Sequence, residues 1–308
     1  MSDSPGTTGL EVDEAGLRTL FDEQDYVAED DIVTTVLLSL RLGKPLLVEG
    51  EPGSGKTELG KVLADGLDTE LVRLQCYEGL SAENTLYEWN YTKQLLAVQA
   101  GDRGVADEDA SVFDEDYLLE RPLLRALTHD GPRPPVLLID EVDRADEEFE
   151  ALLLEVLSDF QVSIPELGTV AASQPPIVVI TSNRTRGLSD ALKRRCLFLH
   201  IEPPSMAKER AIVREKVPEL DGAVAAAVTG AVQRLREEPL LKQPGVAETL
   251  DWARAIAALR HDGEDALTET EVRNTLGCLL KEVEDVQRVD DALLSELLDS
   301  AERARAQG

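Results

Sequence analysis

The chain has 308 residues, 43% hydrophobic but only 4% aromatic, which is enough for one sizeable α/β core with a smaller second domain, both filled by aliphatic side chains. Its formal charge of -30 excludes strong attraction to a nucleic-acid backbone, and the lack of a 20-residue apolar span or a leader-like N-terminus predicts no membrane insertion and a cytoplasmic location. Cys76, Cys196 and Cys278 lie far apart without a C-x-x-C pair, so they read as small core residues rather than metal ligands or disulfides.

Residues 1–15 are small, polar and acidic and read as a frayed tail. Helical periodicity begins near Leu17, and Asp31 to Leu42 reads as a helix that delivers the chain to a first buried strand, Pro45–Glu49. Four more apolar runs follow: Leu71–Cys76, Val136–Asp140, Ile177–Thr181 and Cys196–Ile201. Continuous apolar runs suit strands covered on both faces, so the pattern predicts a five-stranded parallel sheet between helical layers. Ala82–Ala100 reads as helical, Gly101 to Ser111 as an acidic glycine-rich loop, and Gln161 to Ala171 as a hairpin around a Pro165–Gly168 turn. After Pro203-Pro204 only helical segments remain, about Met206–Val217, Ala223–Glu237, Val246–Arg260 and Glu269–Arg305. The expected organisation is therefore a tail (1–15), a nucleotide-binding α/β domain (16–204, with a hairpin near 161–172) and a helical lid (205–308).

The first strand runs into Gly50-Glu51-Pro52-Gly53-Ser54-Gly55-Lys56-Thr57, a Gly-x4-Gly-Lys-Thr phosphate loop. Backbone N–H groups that wrap a triphosphate need residues without a Cβ at the tight approaches, which Gly50, Gly53 and Gly55 provide, and the following helix aims its positive end at the phosphates. Lys56 supplies a point charge for the β and γ oxygens, and the Thr57 hydroxyl is a candidate Mg²⁺ ligand. Asp140 and Glu141 end a buried strand 84 residues after Lys56. Asp140 is the second candidate Mg²⁺ ligand, usually through water, and Glu141 the group that polarises the attacking water. Asn183 ends the Ile177 run, where it can contact the water or the γ-phosphate. In Leu188 to Cys196, Ser189 or Asp190 is a helix cap and the C-terminal basic residues complement the helix dipole. The sharper reading makes Arg195 an arginine finger for a neighbouring subunit's γ-phosphate, with Arg194 as the alternative, because Arg195 directly precedes the next strand.

In this order the phosphate loop, LLIDEVDRAD, ITSN and ALKRRC resemble the AAA+ ATPases, and the hairpin before Asn183 resembles that of the MoxR-type branch. More narrowly, LQCYEGL (74–80), LYEWNY (86–91), LLERPL (118–123), FEALLLEVLSDFQVSIPELG (149–168) and GVAETLDWAR (245–254) are similar to the CoxD group, which is associated with maturation of carbon monoxide dehydrogenase-type molybdenum hydroxylases. The resemblance runs from about residue 20 to 260. It implies ATP and Mg²⁺ as cofactors, a hexameric ring, and ATP-driven remodelling of a client, often beside a partner with a von Willebrand A-type domain. A nucleotide-dependent interaction switch with incidental turnover is the alternative. The lid arginine of many relatives is missing from Gly245 to Thr249, and Arg254 lies a turn or more beyond it. Gln75 occupies a place where related ATPases carry a polar residue that restrains the catalytic Glu; a plain buried hydrogen bond is the alternative. Nine lysines among 31 basic residues, on so acidic a chain, further fit adaptation to high salt, although an ordinary acidic protein has the same sign of charge.

Overall fold

The structure, a computed structural model, describes residues 12–81, 83–99, 117–165, 167–260 and 266–306. The chain enters through α1 (Glu14–Glu23) and α2 (Asp30–Leu42). The Asp13 carboxylate caps α1 by accepting from the Gly16 N–H at 2.7 Å, so the expected tail already gives way to helix before residue 15. Residues 1–11 and the expected loop at 101–111 lie outside the described residues.

Five strands form the main sheet: β1 (Leu46–Gly50), which leads to α3 (Lys56–Gly66), then β2 (Leu71–Gln75), and three that follow an insertion. The insertion holds α4 (Glu83–Leu86), β3 (Tyr87–Trp89), α5 (Tyr91–Gln99), β4 (Leu118–Glu120) and α6 (Pro122–Thr128). The Ala82–Ala100 helix is therefore corrected, since β3 interrupts it by pairing antiparallel with β4. A three-residue strand carries too little periodicity to be read from sequence. Next come β5 (Val136–Asp140), α7 (Glu147–Asp159), the hairpin β6 (Gln161–Ile164) and β7 (Gly168–Ala171), β8 (Ile177–Ser182), α8 (Asp190–Arg195) and β9 (Leu197–Ile201).

The sheet order is β2-β5-β8-β1-β9, with β2–β5, β5–β8 and β8–β1 parallel. Every residue of β1, β5 and β8 is buried, as continuous apolar runs require, whereas edge strand β2 alternates. That alternation turns Val72 and Leu74 into the core and leaves Arg73 and Gln75 on the outer side. The ends of β1, β5 and β8 lie side by side at the carboxyl edge of the sheet, the edge at which open α/β sheets bind ligands.

By internal contacts the chain divides into two compact units, the first comprising Met1–Gln24, Ala28–Glu49 and Lys56–His200, the second Asp25–Val27, Gly50–Gly55 and Ile201–Gly308. The second holds α9 (Met206–Lys216), α10 (Gly222–Arg236), α11 (Val246–Leu259), α12 (Glu269–Leu279), α13 (Val283–Arg288) and α14 (Asp291–Ala306). The segment Glu269–Arg305, expected to be helical, holds three helices, α12, α13 and α14. Trp252 is fully buried there, its Nε1–H donating to Thr275 Oγ1 at 2.6 Å. The wholly buried Glu209 carboxylate accepts from Arg236 at 2.6 and 2.8 Å, Gln233 at 2.9 Å and Thr249 at 2.7 Å. Because Arg236 Nε also donates to Pro244 O at 2.7 Å, this buried charge fixes the start of α11.

Candidate functional site

The glycine loop turns through left-handed backbone at Gly53 (φ 79°) and Gly55 (φ 91°), a region that side chains with a Cβ avoid. Gly50 has no room for one either, since a Cβ there would lie 2.4 Å from the Ile201 carbonyl oxygen. Glu51 and Pro52 are exposed on the loop, and Ser54 N donates to Glu51 O at 3.2 Å. The Ser54 Oγ is buried with no hydrogen-bond partner, the kind of orphaned polar atom that a bound phosphate satisfies. Lys56, in the first turn of α3, is 6% exposed.

Asp140 is the hub of the first unit's polar cluster. Its Oδ1 accepts from Thr57 Oγ1 at 2.9 Å and from Thr181 Oγ1 at 2.6 Å, and its Oδ2 accepts from Arg73 Nη2 at 2.5 Å. The Thr181 hydroxyl in turn accepts from the Glu141 N–H at 2.9 Å. Three neighbouring elements, α3, β5 and β8, are thus stitched at their functional ends. The oxygen donors Thr57 and Asp140 fit a magnesium ion carried by a nucleotide, for Mg²⁺ takes one or two protein oxygens beside phosphate and water. Among the described residues no group of three or more His, Cys, Asp or Glu could hold a metal ion by itself.

Glu141 stands in the left-handed region (φ 57°, ψ 49°), an unusual conformation for a side chain of this size, at the turn from β5 into a 3₁₀ segment, Val142–Arg144. Its carboxylate accepts from Arg144 Nη1 at 2.9 Å, and among the described residues Gln75 makes no hydrogen bond to it. Gln75 is exposed and its Oε1 accepts from Arg73 Nη2 at 2.7 Å.

Asn183 is placed by Asp143, whose Oδ1 accepts from the Asn183 N–H at 3.1 Å and whose Oδ2 accepts from Thr185 N and Oγ1 at 2.8 and 2.6 Å. Burial works against the Asp143 charge, but these donors outweigh it and hold its carboxyl below the usual aspartate range. The Asn183 side-chain amide makes no hydrogen bond among the described residues. Burial, with Asp140, Asp143 and Glu141 nearby, pushes the Cys76 thiol up to about 12, and burial does the same to Cys196. Of the three cysteines only Cys76 is a fully buried core residue.

Ser189 is the cap of α8, accepting from Leu192 N at 3.3 Å. At the other end Arg195 is exposed and donates to Ser158 Oγ at 3.2 and 2.9 Å, whereas Arg194 is exposed with no partner among the described residues. Arg254 pairs with Asp251 at 3.4 Å. Sequence reading missed Arg73, Thr181 and Asp143. The signals were present, as a charge interrupting an apolar strand, a hydroxyl at a strand end, and a third carboxylate three residues after Asp140.

Residues 45–196, just under half of the chain, match the family model of the AAA domain (dynein-related subfamily). The denitrification regulatory protein NirQ of Stutzerimonas stutzeri is 25% identical over 202 residues, 63% of this chain and 64% of that protein. An uncharacterized protein of Staphylococcus haemolyticus is 23% identical over 88% of this chain and 98% of its own. Against the first curated relatives the chain spans less than two thirds of their length, 64% and 56%. Among solved structures, a variant of Thermotoga maritima RuvB covers 95% of this chain and 84% of its own at 18% identity, with a TM-score of 0.48. The five-stranded architecture is the AAA+ P-loop α/β fold, in keeping with the AAA domain matched at residues 45–196.

Proposed function

We propose that this protein, with an AAA domain at residues 45–196, is an ATP-hydrolysing MoxR-type machine that works as a ring, expected to be hexameric, and remodels or matures a client protein. The observation that carries the reading is the cluster in which Thr57, Asp140, Thr181 and the Glu141 N–H are joined by hydrogen bonds of 2.6–2.9 Å. It supports a division of labour. Gly50 to Gly55 and Lys56 would receive the phosphates, and Thr57 and Asp140 would hold Mg²⁺, which when bound supplies charge neutralisation for phosphoryl transfer. Glu141 takes the proton of the attacking water, and the Asn183 amide contacts that water or the γ-phosphate. Arg195 of one subunit, or Arg194, completes the neighbour's site.

Residues 16–204 act in this proposal as the nucleotide domain and 205–308 as a helical lid that converts phosphate loss into motion. The similarity to the CoxD group makes a molybdenum hydroxylase of carbon monoxide dehydrogenase type the proposed client, with a von Willebrand A-type partner beside it. The NirQ relative, by name a regulatory protein, is compatible with an auxiliary role toward other proteins. An interaction switch with incidental turnover is the second reading. It is favoured by the arginine partners on both strand-end carboxylates, Arg73 on Asp140 and Arg144 on Glu141, which compete with a cation or a water for these oxygens.

Mixing Arg195→Ala with Glu141→Gln subunits tests the ring reading. Each variant alone should lose turnover, about 10³-fold for the finger. In mixed rings some interfaces pair an intact Glu141 with an intact Arg195, so activity should partly return. No recovery in rings shown by mass to be mixed would count against a shared site. Turnover that rises when the client is added supports the machine; turnover indifferent to it supports the switch.

A further inference from the structure

The most unexpected side chain near the site is Arg73, on the edge strand β2. Its guanidinium Nη2 donates to two acceptors, Asp140 Oδ2 at 2.5 Å and Gln75 Oε1 at 2.7 Å. Asp140 has almost no solvent of its own, its side chain being 3% exposed, so its charge requires a partner. The Arg73 side chain, by contrast, is 46% exposed, so solvent and not packing surrounds its outer face. The register of β2 on β5 sets Gln75 beside Asp140 and Arg73 beside Leu138, so carboxylate and amide are two acceptors within reach of one flexible side chain.

The remaining contacts of Asp140 sharpen the point. Oδ1 is already engaged by the Thr57 and Thr181 hydroxyls, which leaves Oδ2 as the oxygen that can turn to a cation or to a cation-bound water, and Oδ2 is where Arg73 sits. Two cations that need the same oxygen compete for it. Resting on the nucleotide-site reading above, we infer that Arg73 is a tethered counter-cation: it neutralises Asp140 in the empty site and yields Oδ2 when a magnesium–nucleotide binds, with Gln75 as its berth. Arg73 is thus a positioning residue that sets how much of the nucleotide affinity depends on the metal.

The test is the ratio of ADP affinity with Mg²⁺ to that in EDTA, read from the fluorescence of a labelled ADP so that no turnover is needed. In Arg73→Gln the competitor is gone, and the ratio should rise about tenfold, the scale of one partly screened charge-assisted hydrogen bond. Gln75→Leu removes the berth, and the ratio should fall. Arg73→Lys keeps the charge without the fork and should lie between wild type and Arg73→Gln. A ratio that is unchanged or lower in Arg73→Gln, with ADP binding in EDTA retained, overturns the inference. If Arg73→Gln does not fold, the exposed Gln75→Leu decides, and an unchanged or higher ratio there overturns it equally. Wild-type protein that binds ADP in neither condition would instead remove the nucleotide-site reading itself.

Discussion

Asp143 shows how one carboxylate outside the strand-end pair governs the site. It is 2% exposed, it anchors the backbone of Asn183 and Thr185, and its carboxyl is held below the ordinary aspartate range. A depressed carboxyl stabilises the fold fully above its unfolded value and loses that contribution as pH falls through the folded one. Urea unfolding of wild type and Asp143→Asn should therefore differ by a constant amount from about pH 5 to 8, and the difference should shrink below about pH 4. A difference that grows on acidification would contradict the assigned role. The candidate site was legible at Lys56, Thr57, Asp140, Glu141 and Asn183 because each sits where a strand ends or a helix begins. Arg73 was not, because its partner lies 67 residues away on a neighbouring strand and only the register of β2 on β5 brings the two together.

Elements differ in how far the sequence declares them. The five apolar runs mark the five strands of the sheet to within a residue or so, most sharply in β1, β5 and β8, where burial on both faces leaves no exposed position to blur them. The β3–β4 pair and the breaks around α13 are set by tertiary pairing and by short turns that a periodicity window averages away. The start of α11 depends on an ion pair that no pattern reveals, Glu209 of α9 with Arg236 of α10, two residues 27 apart in sequence. Glu209→Ala should cost about 3–5 kcal/mol, since it leaves the arginine without its buried partner. A double change, Glu209→Leu with Arg236→Met, should recover much of that loss. Equal stability of the single variant and wild type, by chemical denaturation, would remove Glu209 from the account of this element.

Across the whole molecule the dominant number is the charge of -30. Carboxylates in such excess repel one another at low ionic strength, and the screening length shortens to about 3 Å at 1 M salt. If the charge is an adaptation to salt, molar KCl should raise the melting temperature and favour association of subunits. A melting temperature flat from low to molar salt would contradict it. Among the described residues no helix is long and apolar enough to cross a membrane, in keeping with a composition that is 30% charged.

In the proposed mechanism Glu141, one residue past the Asp140 hub, serves hydrolysis rather than nucleotide binding. The direct test is ATP affinity and single-turnover hydrolysis of Glu141→Gln in the same sample, since the change keeps the size of the side chain and removes its charge and its capacity to take a proton. The account predicts unchanged affinity with hydrolysis slowed by about 10²-fold or more. Hydrolysis at the wild-type rate, with ATP bound, would place the base elsewhere.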